Sequence, residues 1–270
     1  DRLDADIAVV QSLGVEIRCG MRIGQDINMD QLQSDYDAVV ITIGLQQGRS
    51  TRIPGSDHAQ VCRAVDLLSK ITEGASFDIP ADAVVIGGGN VAMDIARSLA
   101  RLQKQQYGKI NVTITAMEDR DNMLADPDEI REAREEGIDI IDSCGPLECQ
   151  INDDGSLHCL KTRRVISVFD DQGRFAPRYD ETDEQMYAAD MIIESIGQMT
   201  DVTVLGESLV EKLEWNRGRL QVDDDGRTSE DWLWSAGDMV HGPDVVHAVA
   251  DGHRVASSIN QVLVARRAGK

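Results

Sequence analysis

A glycine-rich turn between an apolar run and a helical pattern constrains the fold of this chain more than any other feature. Val84-Val85-Ile86 leads into Gly87-Gly88-Gly89-Asn90, and an apolar helical pattern continues to about Leu102. In this spacing Gly87 permits the tight turn, Gly89 admits a pyrophosphate, and a small residue at Ala92 lets helix and strand pack closely. The N–H groups at the helix start then bind the phosphates. The turn predicts a dinucleotide site formed by Gly87, Gly88, Gly89, Asn90 and Val91.

A P-loop is excluded for the same stretch, because the run lacks the Gly-Lys-Ser/Thr ending that a P-loop requires. A glycine turn without a ligand is the structural alternative. The order of strand, glycines and helix favours the dinucleotide site instead.

The end of the next predicted strand decides which dinucleotide is bound. An acidic residue there accepts hydrogen bonds from the ribose hydroxyls, whereas an arginine neutralises a 2′-phosphate. Glu118 is the natural candidate, although the long intervening helix places it beyond the usual spacing. We therefore predict NAD(H) in preference to NADP(H). Arg120, and the alanine in place of the third glycine, keep NADP(H) open as the alternative.

Strand and helix patterns alternate along the chain, which predicts an α/β fold with a parallel sheet. Two segments, 36–44 and 189–197, are nearly continuous apolar runs ending at glycine, as buried parallel strands do. Turn signals within 145–190 predict β hairpins. The other predicted elements are helices over 4–13, 30–34, 64–73, 128–136 and 243–264, strands over 15–19, 21–23, 109–116 and 138–141, and a loop over 45–60.

The charge balance argues against two classes of partner. The chain has 48 acidic and 27 basic residues, for a net charge of −21. Such a surface repels phosphate backbones and anionic lipid, so we expect neither a nucleic acid nor a membrane as partner. No apolar run reaches the roughly 20 residues that span a bilayer. The first residues resemble no signal or transit peptide, so we expect a cytoplasmic protein, and the missing initiator Met suggests a piece of a longer one.

The cysteines and histidines point to no reactive centre. The five cysteines form no Cys-x-x-Cys pair, so neither a redox disulfide nor a metal site is indicated. We expect buried, reduced thiols. The five histidines show no pairing with a Ser or Cys nucleophile, and no catalytic acid–base residue is assigned.

Four stretches resemble the NAD(P)- and FAD-binding portion of the glutamate synthase small subunit family, whose relatives include dihydropyrimidine dehydrogenase and iron–sulfur oxidoreductases. They are 36–44 with Ile53-Pro54-Gly55, 87–94, 131–137, and Ala236-Gly237-Asp238 with Gly242-Pro243. The resemblance implies an α/β fold in which a Rossmann-like NAD(P)-binding domain is inserted into an incomplete FAD-binding domain of the two-dinucleotide-binding-domain flavoprotein type. It places FAD-domain fragments at 1–45 and 200–270 and the NAD(P)-binding domain at 46–199.

The resemblance also implies an FAD site and supports the nucleotide preference. Asp238 would hold the ribityl chain, and the helix after Gly242-Pro243 would direct its positive end at the flavin. On its own, Gly237-Asp238 would be an ordinary Asx turn. NADPH-using members carry paired arginines where this chain has Met117 and Glu118, which favours NADH. The residues expected at FAD are Gly44, Gly237, Asp238, Pro243 and Val245, and Gly197 is expected at NAD.

The implied activity is hydride transfer from NAD(P)H to FAD, with electrons passing on to an iron–sulfur domain or a larger catalytic subunit. The family's FAD glycine loop would precede residue 1, so we expect FAD in the full-length protein and an inactive isolated fragment. Two alternatives stay open: a non-catalytic NAD-binding or sensing module, and a disulfide-reductase-type flavoprotein that lacks its Cys-x-x-Cys pair.

Overall fold

The computed structural model describes residues 2–269, and the chain divides into two compact units. One unit combines residues 2–45 with 200–269, and the other runs continuously over 46–199. Each unit has its own buried apolar clusters. No helix within residues 2–269 is both long and apolar enough to cross a membrane.

Helices and strands alternate along most of the chain, as the patterns predict. The helices are α1 (Arg2–Ser12), α2 (Met29–Asp35), α3 (Ala64–Thr72), α4 (Asn90–Tyr107), α5 (Pro127–Glu135), α6 (Glu207–Lys212), α7 (Asp238–His241) and α8 (Val245–Ala268), with a 3₁₀ turn over Val202–Leu205. The strands are β1 (Val39–Ile41), β2 (Gln47–Gly48), β3 (Val61–Arg63), β4 (Ala83–Ile86), β5 (Val112–Thr115), β6 (Asp139–Ile141), β7 (Cys144–Ile151), β8 (Leu157–Phe169), β9 (Phe175–Ala188), β10 (Met191–Glu194), β11 (Gln198–Met199), β12 (Trp215–Asn216), β13 (Arg219–Leu220) and β14 (Leu233–Ser235).

The continuous unit is built on a five-stranded parallel sheet with the spatial order β3-β10-β4-β5-β6. From β4 the chain moves outward through β5 to β6, and it then crosses to the opposite side of β4 to form β10. The strand order therefore reverses between β4 and β10. In open parallel sheets, ligands bind in the crevice at the carboxyl ends of the strands, at such a reversal.

Both faces of this sheet are covered, which explains why all four residues of β4 are buried. Successive side chains of a strand point to opposite faces. Accordingly, Ala83 and Val85 join a cluster with residues of α3, α4 and α5, whereas Val84 and Ile86 join a second cluster with residues of β7, β8 and β9. The three-stranded antiparallel sheet β7-β8-β9 thus covers the face that the helices leave open.

Helix α4 is the main helical support of the sheet. It begins directly after Gly89 and ends at Tyr107, and the left-handed conformation of the capping Gly108 (φ 71°) lets the Gly108 N–H bond to the Lys104 carbonyl. Its buried apolar face repeats at helical spacing, and each large side chain on it contributes about 1.5–3 kcal/mol. That face consists of Ala92, Met93, Ile95, Ala96, Leu99 and Ala100.

The discontinuous unit is joined by parallel pairing of β1 with β14, which aligns Val39 with Leu233 and Ile41 with Ser235. Leu233 and Trp234 are fully buried. The Trp234 indole N–H donates to the Ser258 hydroxyl of α8 at 3.1 Å, which fixes that helix against the pair.

Two predicted strands are wrong. Residues 15–19 and 21–23 are largely exposed and form no strand. Within residues 2–269, the stretch has an isolated bridge between Ile23 and Ile27 and no ladder. β-Branched composition does not produce a strand where no neighbouring strand pairs with it.

Two further segments differ from prediction in extent. The strand predicted over 36–44 is reduced to the three residues of β1, which are unevenly buried. The last helix begins at Val245 rather than Pro243, because the Asp244 side chain caps it, and it continues to Ala268.

Helix α4 and strand β10 also differ from prediction in length. Helix α4 continues to Tyr107 rather than ending at about Leu102, and the strand predicted over 189–197 is confined to the four residues of β10. The remaining predicted elements lie at about their predicted positions.

Candidate functional site

The glycine turn after β4 has a geometry that only glycine can adopt at its first position. Gly87 has a φ of +140°, and a Cβ there would collide with the Ser195 carbonyl oxygen. The turn therefore passes directly against the end of β10. Ala92, on the first turn of α4, is completely buried, as close packing between helix and sheet requires.

The same turn leaves a row of hydrogen-bond donors free. Within residues 2–269, the N–H groups of Gly88, Gly89, Asn90 and Val91 donate to no protein acceptor. A Cβ on Gly89 would meet no atom within 4 Å, so open space lies beside the backbone at the start of an 18-residue helix. Free N–H groups and the positive end of the helix dipole fit a pyrophosphate.

Asn90 has a role that the sequence pattern did not reveal. Its side-chain oxygen accepts the Asp126 N–H at 2.7 Å, and the neighbouring Ala125 N–H donates to the Gly88 carbonyl at 2.9 Å. These two bonds hold the segment before α5 against the glycine turn. Asn90 and Val91 are therefore available to a ligand through their backbone, since the Val91 side chain packs against the core.

Glu118 lies beside the turn. A Cβ on Gly88 would be 3.0 Å from its Oε2 atom, so the half-buried carboxylate borders the second glycine. Arg120, two residues further on, is exposed. The fold thus brings Glu118 to the predicted dinucleotide site, at the end of β5, in a position suited to accept hydrogen bonds from a ribose.

Gly197 follows β10 at the same edge of the sheet. It is exposed with a φ of +101°, and its carbonyl accepts the Arg49 N–H at 3.0 Å. The predicted NAD residues of this unit therefore gather at the carboxyl ends of β4, β5 and β10, where strand order reverses.

In the discontinuous unit, the predicted FAD residues follow the paired strands β1 and β14. Gly44 (φ +62°) lies after β1, and its carbonyl accepts the Thr200 hydroxyl at 3.0 Å. Gly237 (φ +77°) lies after β14 and precedes Asp238, whose Oδ1 accepts the Asp244 N–H at 3.4 Å. Both glycines occupy conformations that L side chains rarely adopt.

The first turn of α8 exposes an apolar surface next to Asp238. Val245, Val246 and Val249 are 81%, 76% and 58% exposed. An open cleft of about 600 Å³ lies here, lined by Asp238, Pro243, Asp244, Val245, Ala248 and Val249. A flat apolar ring with polar edges fits this combination of valines and a nearby carboxylate.

The start of α8, which is expected to direct its positive end at the flavin, carries a capping side chain. Asp244 accepts the His247 N–H at 3.0 Å, and this bond lowers the pKa of its carboxyl below the usual value. One of the free donors of the first turn is therefore already used by the chain.

Asp251 is a buried acid that the sequence patterns did not single out. Its Oδ2 atom accepts the Gly237 N–H at 3.0 Å, and its Oδ1 atom accepts from Arg254 at 2.7 Å and lies 3.4 Å from His241 Nε2. It therefore anchors the turn that carries Asp238. The signal that could have found it is its helical spacing from Val255 and Ser258, with which it shares the buried face of α8.

The cysteines are free thiols in different environments. Cys144, Cys149 and Cys159 are buried, Cys62 is half-buried and Cys19 is exposed, so the expectation of burial is wrong for Cys19. Burial raises the pKa of the Cys149 thiol to about 12 and that of Cys62 to about 11. Among residues 2–269, no group of three or more His, Cys, Asp or Glu side chains is arranged to hold a metal ion.

Comparison with known families and curated proteins gives matches over nearly the whole chain. Residues 23–269 match the family described as pyridine nucleotide-disulphide oxidoreductase. The chain is 32% identical over 263 residues to the NAD-dependent dihydropyrimidine dehydrogenase subunit PreT of Escherichia coli (strain K12), covering 97% of this chain and 56% of that protein. It is 30% identical over 267 residues to the glutamate synthase [NADPH] small chain of Halomonas elongata, covering 93% and 55%.

A third relative is the NADP(+)-dependent formate dehydrogenase subunit beta of Moorella thermoacetica, 34% identical over 271 residues, with 97% of this chain and 37% of that protein covered. The chain thus spans little more than half the length of the first two relatives and about a third of the last.

Solved structures show the same fold. FprA of Mycobacterium tuberculosis in complex with NADPH superposes with a TM-score of 0.73 at 20% identity, over 90% of this chain and 67% of that one. Thioredoxin reductase of T. acidophilum superposes with a TM-score of 0.62 at 19% identity, over 84% and 66%. The predicted fold class and the resemblance to the glutamate synthase small subunit family are confirmed.

Proposed function

The chain belongs to the pyridine nucleotide-disulphide oxidoreductase family, and from this premise we propose that it is the electron-input module of a flavin-dependent oxidoreductase that takes hydride from NADH. The observation that carries the proposal is the glycine turn after β4. Its free N–H groups face open space, and a carboxylate borders its second glycine. The family implies FAD and NAD(P) as cofactors. The continuous unit offers the residues proposed for NAD(P), and the discontinuous unit offers those proposed for FAD.

The chain's own residues bind and orient the cofactors. The N–H groups of Gly88 and Gly89 and the start of α4 hold the pyrophosphate of the dinucleotide. Glu118 accepts hydrogen bonds from the ribose, and the exposed Gly197 leaves room for the nicotinamide end. In the other unit, Asp238 would accept hydrogen bonds from the ribityl hydroxyls of FAD, and Val245 would cover the flavin ring against water. When bound, the nicotinamide and flavin rings supply the redox chemistry.

A preference for NADH over NADPH follows from the position of Glu118. A 2′-phosphate on the ribose would lie close to its carboxylate. Two such charges about 4 Å apart repel by roughly 1 kcal/mol in a water-like medium and by roughly 4 kcal/mol near a protein surface. The lower figure corresponds to about a fivefold difference in affinity and the higher figure to well over tenfold.

The final electron acceptor is proposed to be an iron–sulfur domain or a larger catalytic subunit. Two relatives are named as subunits, and one is named as a small chain, of larger oxidoreductases. We extend that arrangement to this chain, with FAD bound in the complete protein.

Direct titration tests the nucleotide site. Adding NADH and NADPH separately to the purified chain, and following nicotinamide fluorescence, should give a dissociation constant about tenfold lower for NADH. Absence of binding would contradict the dinucleotide site, whereas tighter binding of NADPH would contradict only the role of Glu118.

An absorbance spectrum of the complete protein tests the flavin part. A flavoprotein shows the flavin bands and loses them when NADH is added without oxygen. A non-catalytic NAD-sensing module, the alternative function, would bind NADH without a flavin band to bleach.

A further inference from the structure

We propose that Glu194 is a positioning residue for the nicotinamide end of the dinucleotide site, acting through the segment 49–51 and Gly197. The proposal rests on the proposed function, because it assigns a role within the same NAD(H) site. Glu194 would not touch the cofactor. It would fix the backbone that borders it.

Glu194 is a buried acid whose carboxylate oxygens both have hydrogen-bond or ion-pair partners. It is the last residue of β10, and its side chain is fully buried. It accepts the Thr51 N–H at 2.7 Å, the Thr51 hydroxyl, and the Ser50 hydroxyl at 3.5 Å, and it forms an ion pair with Arg63. A buried carboxylate requires such partners, because an unpaired charge is strongly disfavoured away from water.

The position of Glu194 in the sheet places it next to the glycine turn. Its Cα is paired with that of Ile86, the residue before Gly87, and on the other side with that of Arg63. The following residue donates its N–H to the Ile86 carbonyl at 2.8 Å. Glu194 is thus at the reversal of strand order between β4 and β10.

The two halves of a dinucleotide lie on opposite sides of that reversal. Glu118, at the end of β5, lies on the side suited to the adenosine ribose. The side of β10 and β3 therefore remains for the nicotinamide half. Glu194, Thr51 and Gly197 all lie on that side.

The segment 49–51 is attached to the end of β10 at two levels. Side-chain bonds run from Ser50 and Thr51 to Glu194, and a backbone bond runs from the Arg49 N–H to the Gly197 carbonyl at 3.0 Å. Just before it, β2 pairs with β11 in an antiparallel ladder. Because Gly197 is an exposed glycine with positive φ, these attachments determine where its backbone lies.

The test compares a ligand that has the nicotinamide with one that lacks it. NADH and ADP-ribose share the adenosine and the pyrophosphate, so the wild-type chain should bind both. In Glu194→Gln, the charge of the Arg63 pair is lost and one of the two acceptor oxygens becomes an NH2 donor, so segment 49–51 is held less firmly. The affinity for NADH should fall about tenfold, whereas that for ADP-ribose should stay within about twofold. At saturation, the fluorescence enhancement of bound NADH should also be smaller, because the ring is less firmly held.

Glu184→Gln is the matched control. Glu184 forms ion pairs with Lys161 and Arg163 between β8 and β9 and is partly exposed, away from the strand ends. The affinities for both ligands should be unchanged. If Glu194→Gln does not fold, Thr51→Val removes only the hydroxyl partner and should weaken NADH binding in the same selective way.

The possible outcomes distinguish a failure of the proposed function from a failure of the role proposed for Glu194. If the wild-type chain binds neither ligand, the proposed function fails. If it binds both, and Glu194→Gln keeps its affinity for NADH or loses both ligands equally, the site stands and the positioning role of Glu194 is overturned.

Discussion

At the scale of single residues, the candidate sites depend on a few positions that make close contacts with specific neighbours. Gly87 touches the end of β10, and Glu118 borders Gly88. Asp251 holds the N–H of Gly237 from inside α8. Because each of these contacts involves the backbone of a glycine in a candidate site, a substitution at either partner should change either ligand binding or stability.

The two outer glycines of the turn should respond differently to alanine. Gly87→Ala places a methyl group against the Ser195 carbonyl in a conformation that L residues rarely adopt, and it should lower the free energy of unfolding by roughly 2–4 kcal/mol. Gly89→Ala places a methyl group in open space at an ordinary φ. It should change stability by less than about 1 kcal/mol.

In Gly89→Ala the added methyl group occupies the space proposed for the pyrophosphate and touches nothing else. NADH affinity should therefore fall about tenfold or more while the fold is kept. Urea unfolding and NADH titration of both variants measure this contrast. Unchanged NADH affinity in Gly89→Ala would show that the phosphates do not approach this backbone.

Glu118→Gln should remove the charge that discriminates against NADPH. The dissociation constant for NADPH should fall about tenfold relative to that for NADH, since a repulsion of between roughly 1 and 4 kcal/mol is lost and about 1.4 kcal/mol is tenfold. Parallel titrations with both nucleotides measure the ratio. Asp119→Asn is the control, because Asp119 is exposed and bonded to Asn122, and its variant should keep the wild-type ratio. An unchanged ratio in Glu118→Gln would mean that the 2′-phosphate of NADPH does not lie near Glu118.

At the scale of elements, α4 and α5 are held together by an ionic cluster as well as by apolar contact. Arg97 of α4 has a side chain only 15% exposed and forms ion pairs with Glu129, Glu132 and Glu136. Arg101 also pairs with Glu136. These arginines hold α5, and with it the segment that is bonded to the glycine turn.

Arg97→Gln should destabilise the protein at neutral pH, because it leaves three carboxylates close together. A loss of roughly 2 kcal/mol is expected, between the values typical of exposed and of buried pairs. The difference from wild type should shrink as the pH falls. Hydrogen bonds from Arg101 and Arg97 hold the pKa of Glu136 below its usual value.

The stability that Glu136 contributes is therefore present above its unfolded-state pKa and is lost as the pH falls through the lower, folded-state pKa. Urea unfolding of wild type and Arg97→Gln at pH 7 and at about pH 3, well below the ordinary Glu pKa of about 4.3, measures this. A difference that is independent of pH would mean that the cluster acts through packing alone.

At the scale of the whole molecule, one unit is assembled from both ends of the described chain. Strands β1 and β14 pair in parallel although almost 200 residues separate them. Met29 and Ile41 from the first segment share a cluster with Leu220, Leu233 and Met239 from the last. Neither segment could bury these side chains alone. The two segments, which the continuous unit separates in sequence, must therefore pair before this cluster can form.

The thiols give a chemical test of the whole fold. With an aromatic disulfide reagent at about pH 8, the exposed Cys19 should react quickly and the buried thiols slowly, because thiolates are the reactive form. Burial raises the pKa of Cys149 to about 12 and of Cys62 to about 11, which keeps both protonated. Cys19→Ser should remove the fast phase, and all five thiols should react in denaturant. Several fast thiols in the native wild type would contradict these burials.

Much of the fold and part of the candidate site could be predicted, because they depend on local properties of the chain. The glycines after β4, the periodicity of α4 and the acid after β5 are all readable within about 35 residues. The strands predicted over 15–19 and 21–23 were wrong, since a strand depends on a neighbour that local composition does not reveal.

The sequence by itself determined the α/β alternation, the glycine turn and the acid that borders it, because backbone freedom, apolar periodicity and charge are properties of each short segment. Only the tertiary structure decided which distant groups meet. The pairing of Glu194 with Thr51, of Asp251 with Gly237, and of β1 with β14 joins residues that no local pattern relates. Buried polar groups and strand edges must be paired when the chain folds, and the partner is whichever residue the packed elements bring within hydrogen-bonding distance.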